Sequence, residues 1–196
     1  MTITAADVSK LRKMTGVGMM EAKKALVESE GDFDKAIEGL RKRGAAKAAK
    51  KADRETSEGR VHTYTHSTGK IGVMVEVQCE TDFVARNEAF ISLCNDIAMH
   101  IAAMSPDYLT REEVPAETIE KEKEILAEQL RGEGKPEEML EKILVGKMDK
   151  YYSEICLMEQ DFIKDEDKTL QQLMEGSVLE LGENMRITRF ERFQIN

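Results

Sequence analysis

Apolar positions along the chain first follow a helical spacing, then a strand spacing, then a helical spacing again. Val8, Leu11 and Met14 recur at helical intervals behind Thr4 and Asp7, which stand three apart as an N-cap pair, and Gly16 stops the run. A second helix starts near Gly18, carries Met19, Ala22, Ala25 and Leu26, and ends before Gly31. Asp32 supplies the cap of a third, with Phe33, Ala36, Ile37 and Leu40 on one face and Gly44 as its C-cap. Residues 45–55, AAKAAKKADRE, have no large apolar stripe, so strong helix formers here predict an exposed helical linker, solvated rather than a nucleic-acid patch.

Between Arg60 and His66 the pattern changes to alternation, and Ser67-Thr68-Gly69-Lys70 reads as a hairpin turn. Ile71, Val73, Val75 and Val77 put four aliphatic residues on one face of the returning strand, against Gly72, Met74, Glu76 and Gln78 on the other. Residues 184–195 form a third strand. The expected fold class is α+β: a three-helix bundle, then a core with one three-stranded antiparallel sheet covered by helices on one face. Phe90, Leu93, Ile97, Ile101 and Met104 step by three and four as one buried stripe. A charged helix over 116–131 ends near Gly132. Pro136 opens another, with Leu140, Leu144, Tyr151 and Ile155 on one side and Ile143 and Met148 beside them. Thr169 begins a last helix that Gly182 stops. No internal repeat is present.

Charge sharpens the division. Residues 1–54 hold 13 basic and 8 acidic side chains, net +5, and the remaining residues hold 16 and 30, net −14. An acidic main part argues against nucleic acid as direct partner, and a chain with no Trp, six Phe and four Tyr offers few stacking platforms. No apolar run nears the roughly 18 residues of a membrane span, so neither a membrane role nor a leader peptide is expected. Cys79, Cys94 and Cys156 are odd in number and lack a CxxC pair, which fits a cytoplasmic protein without a disulfide framework or structural zinc.

Candidate chemistry is sparse. His62 and His66 resemble a metal pair, but an i,i+4 spacing in a strand separates them by about 13 Å. His100 reads as a surface or satisfied core histidine. Gly16-Val17-Gly18 is a helix-to-helix turn rather than a phosphate cradle, and the acidic runs at 120–128 and 165–167 lack EF-hand spacing. No nucleophile and base can be paired. Cys79, at a strand end, is a distant candidate without a histidine nearby in sequence. A protein that is not an enzyme, with no metal and no cofactor, is the expectation.

Two segments exceed this plain reading. Successive helical residues point about 100° apart, so Met19 and Met20 do not both fit so small a core, and Met suits adaptable contact surfaces. The other is Glu80-Thr81-Asp82-Phe83-Val84-Ala85-Arg86-Asn87, leaving an apolar strand for a helix with Thr81 or Asp82 as cap. Phe83, seven residues before Phe90, falls on the same helical face at the tip: a core plug, or a contact residue if exposed.

The stretches Met14-Thr15-Gly16-Val17-Gly18-Met19-Met20-Glu21-Ala22-Lys23-Lys24-Ala25-Leu26 and Gly44–Ala52 resemble the N-terminal signature of the translation elongation factor Ts family. Glu80–Asn87 is similar to that family's second signature, and Gly182-Glu183-Asn184-Met185-Arg186-Ile187 to its C-terminal strand. The resemblance implies a ubiquitin-associated-like bundle over 1–45, a linker over 46–57 and a core and dimerisation domain over 58–196. It implies guanine nucleotide exchange on the GTPase elongation factor Tu, with GDP released so that GTP can bind. Thr81, Asp82, Phe83 and Val84 match the part that dislodges magnesium in the partner. Met19, Met20 and Lys23 match contacts of the N-terminal module, and Leu181 and Gly182 match a further contact, with Leu where Ile is more usual. Longer members carry a second core subdomain and a protruding coiled coil; here there is one core region, and a homodimer through it is expected. The alternative is an adaptor that joins a ubiquitin-associated-like module to a scaffold without exchange activity.

Overall fold

Thr4 opens the first helix by the reciprocal bonding its spacing predicts: its hydroxyl accepts from the Asp7 N–H at 3.2 Å, and the Asp7 carboxylate accepts from the Thr4 N–H at 2.9 Å. The computed structural model describes residues 3–195; residues 1, 2 and 196, at the ends of the first and last expected domains, lie outside the described residues. Helices α1 (Ala5–Thr15), α2 (Met19–Glu28) and α3 (Phe33–Lys51) follow, α1 closing on Gly16 at φ 74° and α3 opening on the Asp32 carboxylate. Val8, Leu11, Val17, Ala22, Ala25, Leu26, Ala36 and Leu40 form their shared core.

Strands β1 (Glu58–Thr65) and β2 (Ile71–Cys79) form the expected hairpin. A four-residue helix α4 (Asp82–Ala85) precedes α5 (Glu88–Met104). The charged hairpin of α6 (Ala116–Gly132) and α7 (Glu137–Ile155) comes next, with Leu130, Leu140 and Met148 buried and Leu144, Tyr151 and Ile155 half-buried. Strands β3 (Asp161–Phe162) and β4 (Asp165–Thr169) make a small ribbon that the hydropathy pattern does not announce, because its residues are mostly charged. Thr169 then caps α8 (Leu170–Leu181), and β5 (Met185–Gln194) completes the main sheet.

That sheet is antiparallel with order β1-β2-β5, so the fold is α+β. Val75 pairs with His62 on one side and Phe190 on the other, and a bulge near Glu76 leaves Thr188 unpaired in the register. Val73, Val75, Val77 and Cys79 pack against Phe90, Leu93, Cys94, Ile97 and Ile101 of α5, while Met104 at the end of that stripe is exposed. The opposite sheet face is open and displays Val61, Met74 and Phe193.

The structure corrects two features of the expected linker. Gly44 is not a C-cap: α3 continues through it to Lys51. The reason is tertiary. Gly44 is buried where α3 crosses α8, and a Cβ there would stand 3.2 Å from the Glu175 carbonyl oxygen, so the glycine permits close approach instead of ending the helix. Nor is the segment wholly exposed, since Ala48 packs on the main core and Lys47 bonds Glu21 at 3.2 Å. Leu179 of α8 reciprocates by entering the bundle's core, so α3 and α8 fasten the bundle to the sheet-bearing part.

Candidate functional site

The segment after β2 is built around Thr81. Its backbone is extended, at φ −130° and ψ 156°, and its hydroxyl accepts from the Val84 N–H at 3.4 Å to cap α4. Asn87 caps α5 separately, accepting from the Ala89 N–H at 2.9 Å. That second cap breaks the helical phase between α4 and α5. Phe83 therefore does not share the face of Phe90: Phe90 is fully buried, and Phe83 is 83% exposed. The core-plug reading of Phe83 is thereby corrected. Ala85 is buried and Val84 packs half-buried on the core, so the short helix is anchored from below while the Phe83 ring stands in solvent. Asp82 pairs with Arg86 at 3.1 Å.

A second segment meets this tip. Beyond Leu181, Gly182 turns in the left-handed region at φ 80°, and Glu183 and Asn184 lead into β5. The Glu183 carboxylate accepts from the Glu80 and Thr81 N–H groups at 3.1 and 3.0 Å and from the Thr81 hydroxyl at 2.6 Å. In return, the Asn184 N–H donates to the Glu80 carboxylate at 2.6 Å. The Asn184 side-chain amide donates to the carbonyls of Ala52 and Arg54, the Arg54 guanidinium lies 3.3 Å from Glu80, and Lys51 bonds the Gly182 carbonyl. The Asn184 N–H, with Arg54 behind it, holds the Glu80 carboxyl below its ordinary value.

The structure thus brings Thr81, Asp82, Phe83 and Val84 together with Leu181 and Gly182, and ties both to the end of α3. Leu181 is half-buried against the core and Gly182 is exposed. Met19, Met20 and Lys23 stand elsewhere, on α2, whose packing partners are α1 and α3. Met19 and Met20 are both exposed, by 44% and 77%, as two adjacent helical residues beside a small core require. Sequence reasoning missed Glu80, Glu183 and Asn184 as linking residues. The available signal was the antiparallel pairing of β2 with β5, which places the residues after Cys79 opposite those before Met185.

The remaining candidates have structural partners. Cys79 is buried, and burial together with the nearby Glu183 carboxylate pushes its thiol up to about 11, away from the thiolate form. Burial pushes Cys94 up to about 12 and Cys156 up to about 11. His100 is a satisfied core residue: its Nδ1 accepts from the Ile163 N–H at 3.2 Å, which leaves Nε2 to donate to Gln160 Oε1 at 2.9 Å. His66 bonds the Tyr64 hydroxyl at 3.1 Å. Among the described residues, no group of three or more His, Cys, Asp and Glu side chains is placed to hold a metal ion, and no helix is long and apolar enough to cross a membrane.

Comparison with known proteins adds the family. The family model described as Elongation factor TS matches residues 47–196. The chain is 58% identical over 193 residues to elongation factor Ts of Geobacter sulfurreducens, covering 98% of this chain and 89% of that one. It is 55% identical to elongation factor Ts of Fervidobacterium nodosum, covering 100% and 99%, and 56% identical to that of Thermosipho melanesiensis, covering 98% of each. These likenesses put the molecule among the translation elongation factors. The chain belongs to the elongation factor Ts family, whose role is guanine nucleotide exchange on elongation factor Tu; a plain adaptor is not favoured.

Proposed function

We propose that the chain acts non-covalently, gripping GDP-bound elongation factor Tu at two surfaces and inserting the Phe83 tip near the partner's magnesium and phosphate site. Magnesium and phosphates keep GTPase switch segments in order, so an apolar wedge that displaces them loosens the nucleotide. The coupling is reciprocal: a factor that weakens GDP binding is itself bound more weakly when GDP is present. No proton transfer and no cofactor of the chain's own is needed. Thr81 shapes the tip, Asp82 and Phe83 face the partner, and Val84 seats the tip on the core. Met19, Met20 and Lys23 form the second grip, and Leu181 and Gly182 extend the first.

The observation that carries this reading is the Phe83 ring, exposed by 83% on a segment anchored by Val84 and Ala85. A seated segment that holds a whole aromatic ring in solvent leaves that ring's apolar area available for a partner to bury, as interface hot spots do. The test is release of fluorescent GDP from elongation factor Tu: the chain accelerates it, and no acceleration at saturating chain would overturn the reading.

The domain division fits this mechanism. A ubiquitin-associated-like module over 1–45 carries the Met19–Met20 grip, residues 46–57 connect it through the last turns of α3 and the turn beyond Lys51, and the core over 58–196 carries the tip. The open sheet face with Val61, Met74 and Phe193 supports pairing of two cores into a homodimer. Sedimentation at micromolar concentration is expected to give a dimer, and a lone 22.1 kDa species would remove that assignment. The site of action is the cytoplasm, with no direct contact to nucleic acid.

A further inference from the structure

The four-residue helix that carries Phe83 is too short to hold itself together, because the first helical turn costs more ordering than its own bonds return. Something outside the segment has to fix it. Val84 and Ala85 fix its underside, but the approach to it, Glu80 and Thr81, lies where the chain leaves the central strand β2. There the Glu183 carboxylate accepts three hydrogen bonds, two from backbone N–H groups and one from the Thr81 hydroxyl. The next residue returns a bond in the opposite sense, from the Asn184 N–H to Glu80. Thr81 is bound twice over, since its oxygen donates to Glu183 while accepting from Val84.

We infer that Glu183 is the positioning residue of the exchange tip. Its carboxylate locks the residues entering α4 so that Phe83 is presented in one orientation before the partner arrives. Asn184 and Glu80 close the lock from the other side, and Arg54 and Lys51 tie it to α3, the helix that continues from the module bearing Met19 and Met20. The inference rests on the reading of Phe83 as the wedge and adds what aims it. A charged acceptor suits the task, since hydrogen bonds to ionised groups are shorter and stronger than neutral ones. A tip ordered in advance does not have to be ordered on binding, and a tip that is competent only a fraction of the time acts in proportion to that fraction.

The test uses the full chain and stopped-flow release of fluorescent GDP from elongation factor Tu, over a range of chain concentrations. Glu183→Ala, Glu183→Gln, Phe83→Ala and the double variant Phe83→Ala/Glu183→Ala are compared, with melting temperature measured for each. If loss of the lock leaves the tip competent about a tenth of the time within the complex, which the other contacts hold together, Glu183→Ala lowers the maximal stimulated rate about tenfold and changes the half-saturating concentration far less. Glu183→Gln keeps a carbonyl acceptor and recovers part of that rate. In the Phe83→Ala background, Glu183→Ala is expected to add little further loss, because its effect runs chiefly through the ring. Amide hydrogen exchange at Glu80 and Thr81 in the free chain is expected to speed up in Glu183→Ala.

A slow Phe83→Ala with an unaltered Glu183→Ala overturns this assignment alone. So do equal losses from Glu183→Ala with and without the ring, which would mean that Glu183 acts elsewhere. A fully active Phe83→Ala overturns the wedge reading and this assignment with it. Should Glu183→Ala not fold, the same comparison is made with Glu183→Gln: a loss confined to the Phe83-bearing background supports the assignment, and an equal loss in both backgrounds overturns it.

Discussion

Phe83 and Phe90 are the same residue type seven positions apart, and the structure gives them opposite surroundings. Phe90 is fully buried beneath the sheet, so Phe90→Ala opens a cavity and is expected to cost about 3–5 kcal/mol. For a chain of this size that lowers the melting temperature by roughly 6–20 °C. Phe83 is 83% exposed, and Phe83→Ala is expected to stay within about 0.5 kcal/mol of the parent. In the complex the order is expected to reverse. Burying a phenylalanine ring in a partner is worth about 1.5–3 kcal/mol, which converts to a ten- to hundredfold slower stimulated GDP release for Phe83→Ala, to order of magnitude. Phe90→Ala should keep its exchange rate per folded molecule. Melting curves and stopped-flow exchange on both variants check the pair. A melting shift in Phe83→Ala as large as that in Phe90→Ala would show the ring to be core, and full exchange activity would deny it the role of wedge.

Three further outcomes are expected. Met19→Ala/Met20→Ala should raise the dissociation constant for elongation factor Tu while leaving the melting temperature nearly unchanged; unfolding of the bundle with undiminished binding by the core would refute a contact role. Burial holds His100 below its ordinary 6.5, so its contribution is fully present above pH 6.5 and declines as pH falls through 6.5 toward the lower folded value. Urea midpoints should show that decline in the parent and lack it in His100→Gln, and a decline common to both would exclude His100 as its source. Gly44→Leu should cost about 1–3 kcal/mol by overpacking the α3–α8 crossing, whereas Gly39→Ala, with open space beside it, should stabilise α3 by about 0.5–1 kcal/mol. Equal effects at the two glycines in thermal melts would contradict that crossing geometry.

The features that were legible in the sequence are those decided within a few residues. The caps at Thr4, Asp32 and Thr169, the stop at Gly182 and the alternation of Val73, Val75 and Val77 all depend on neighbours in the chain. Gly44 misled because a glycine that ends a helix and a glycine that admits another helix look alike locally; only α8, more than a hundred residues on, distinguishes them. Phe83 was ambiguous for a related reason. Its spacing from Phe90 is helical, but Asn87 restarts the helix between them, and a cap of that kind changes the phase of everything before it. The lock at the tip was invisible because Glu183 and Thr81 are 102 residues apart and meet only through the pairing of β2 with β5. The residues of the tip could be named from the family resemblance. Which of them projects, which anchors and which is held in place required the fold.

In the proposed function the Phe83 tip works on the magnesium and phosphate site of elongation factor Tu. Its most direct test is GDP release stimulated by the parent chain and by Phe83→Ala, measured at a series of free magnesium concentrations down to full chelation. If the tip acts by unseating magnesium, the advantage of the parent over Phe83→Ala is large at millimolar magnesium and collapses toward unity once the ion is removed. An advantage that stays the same across the whole series would exclude unseating of magnesium as the action of the tip.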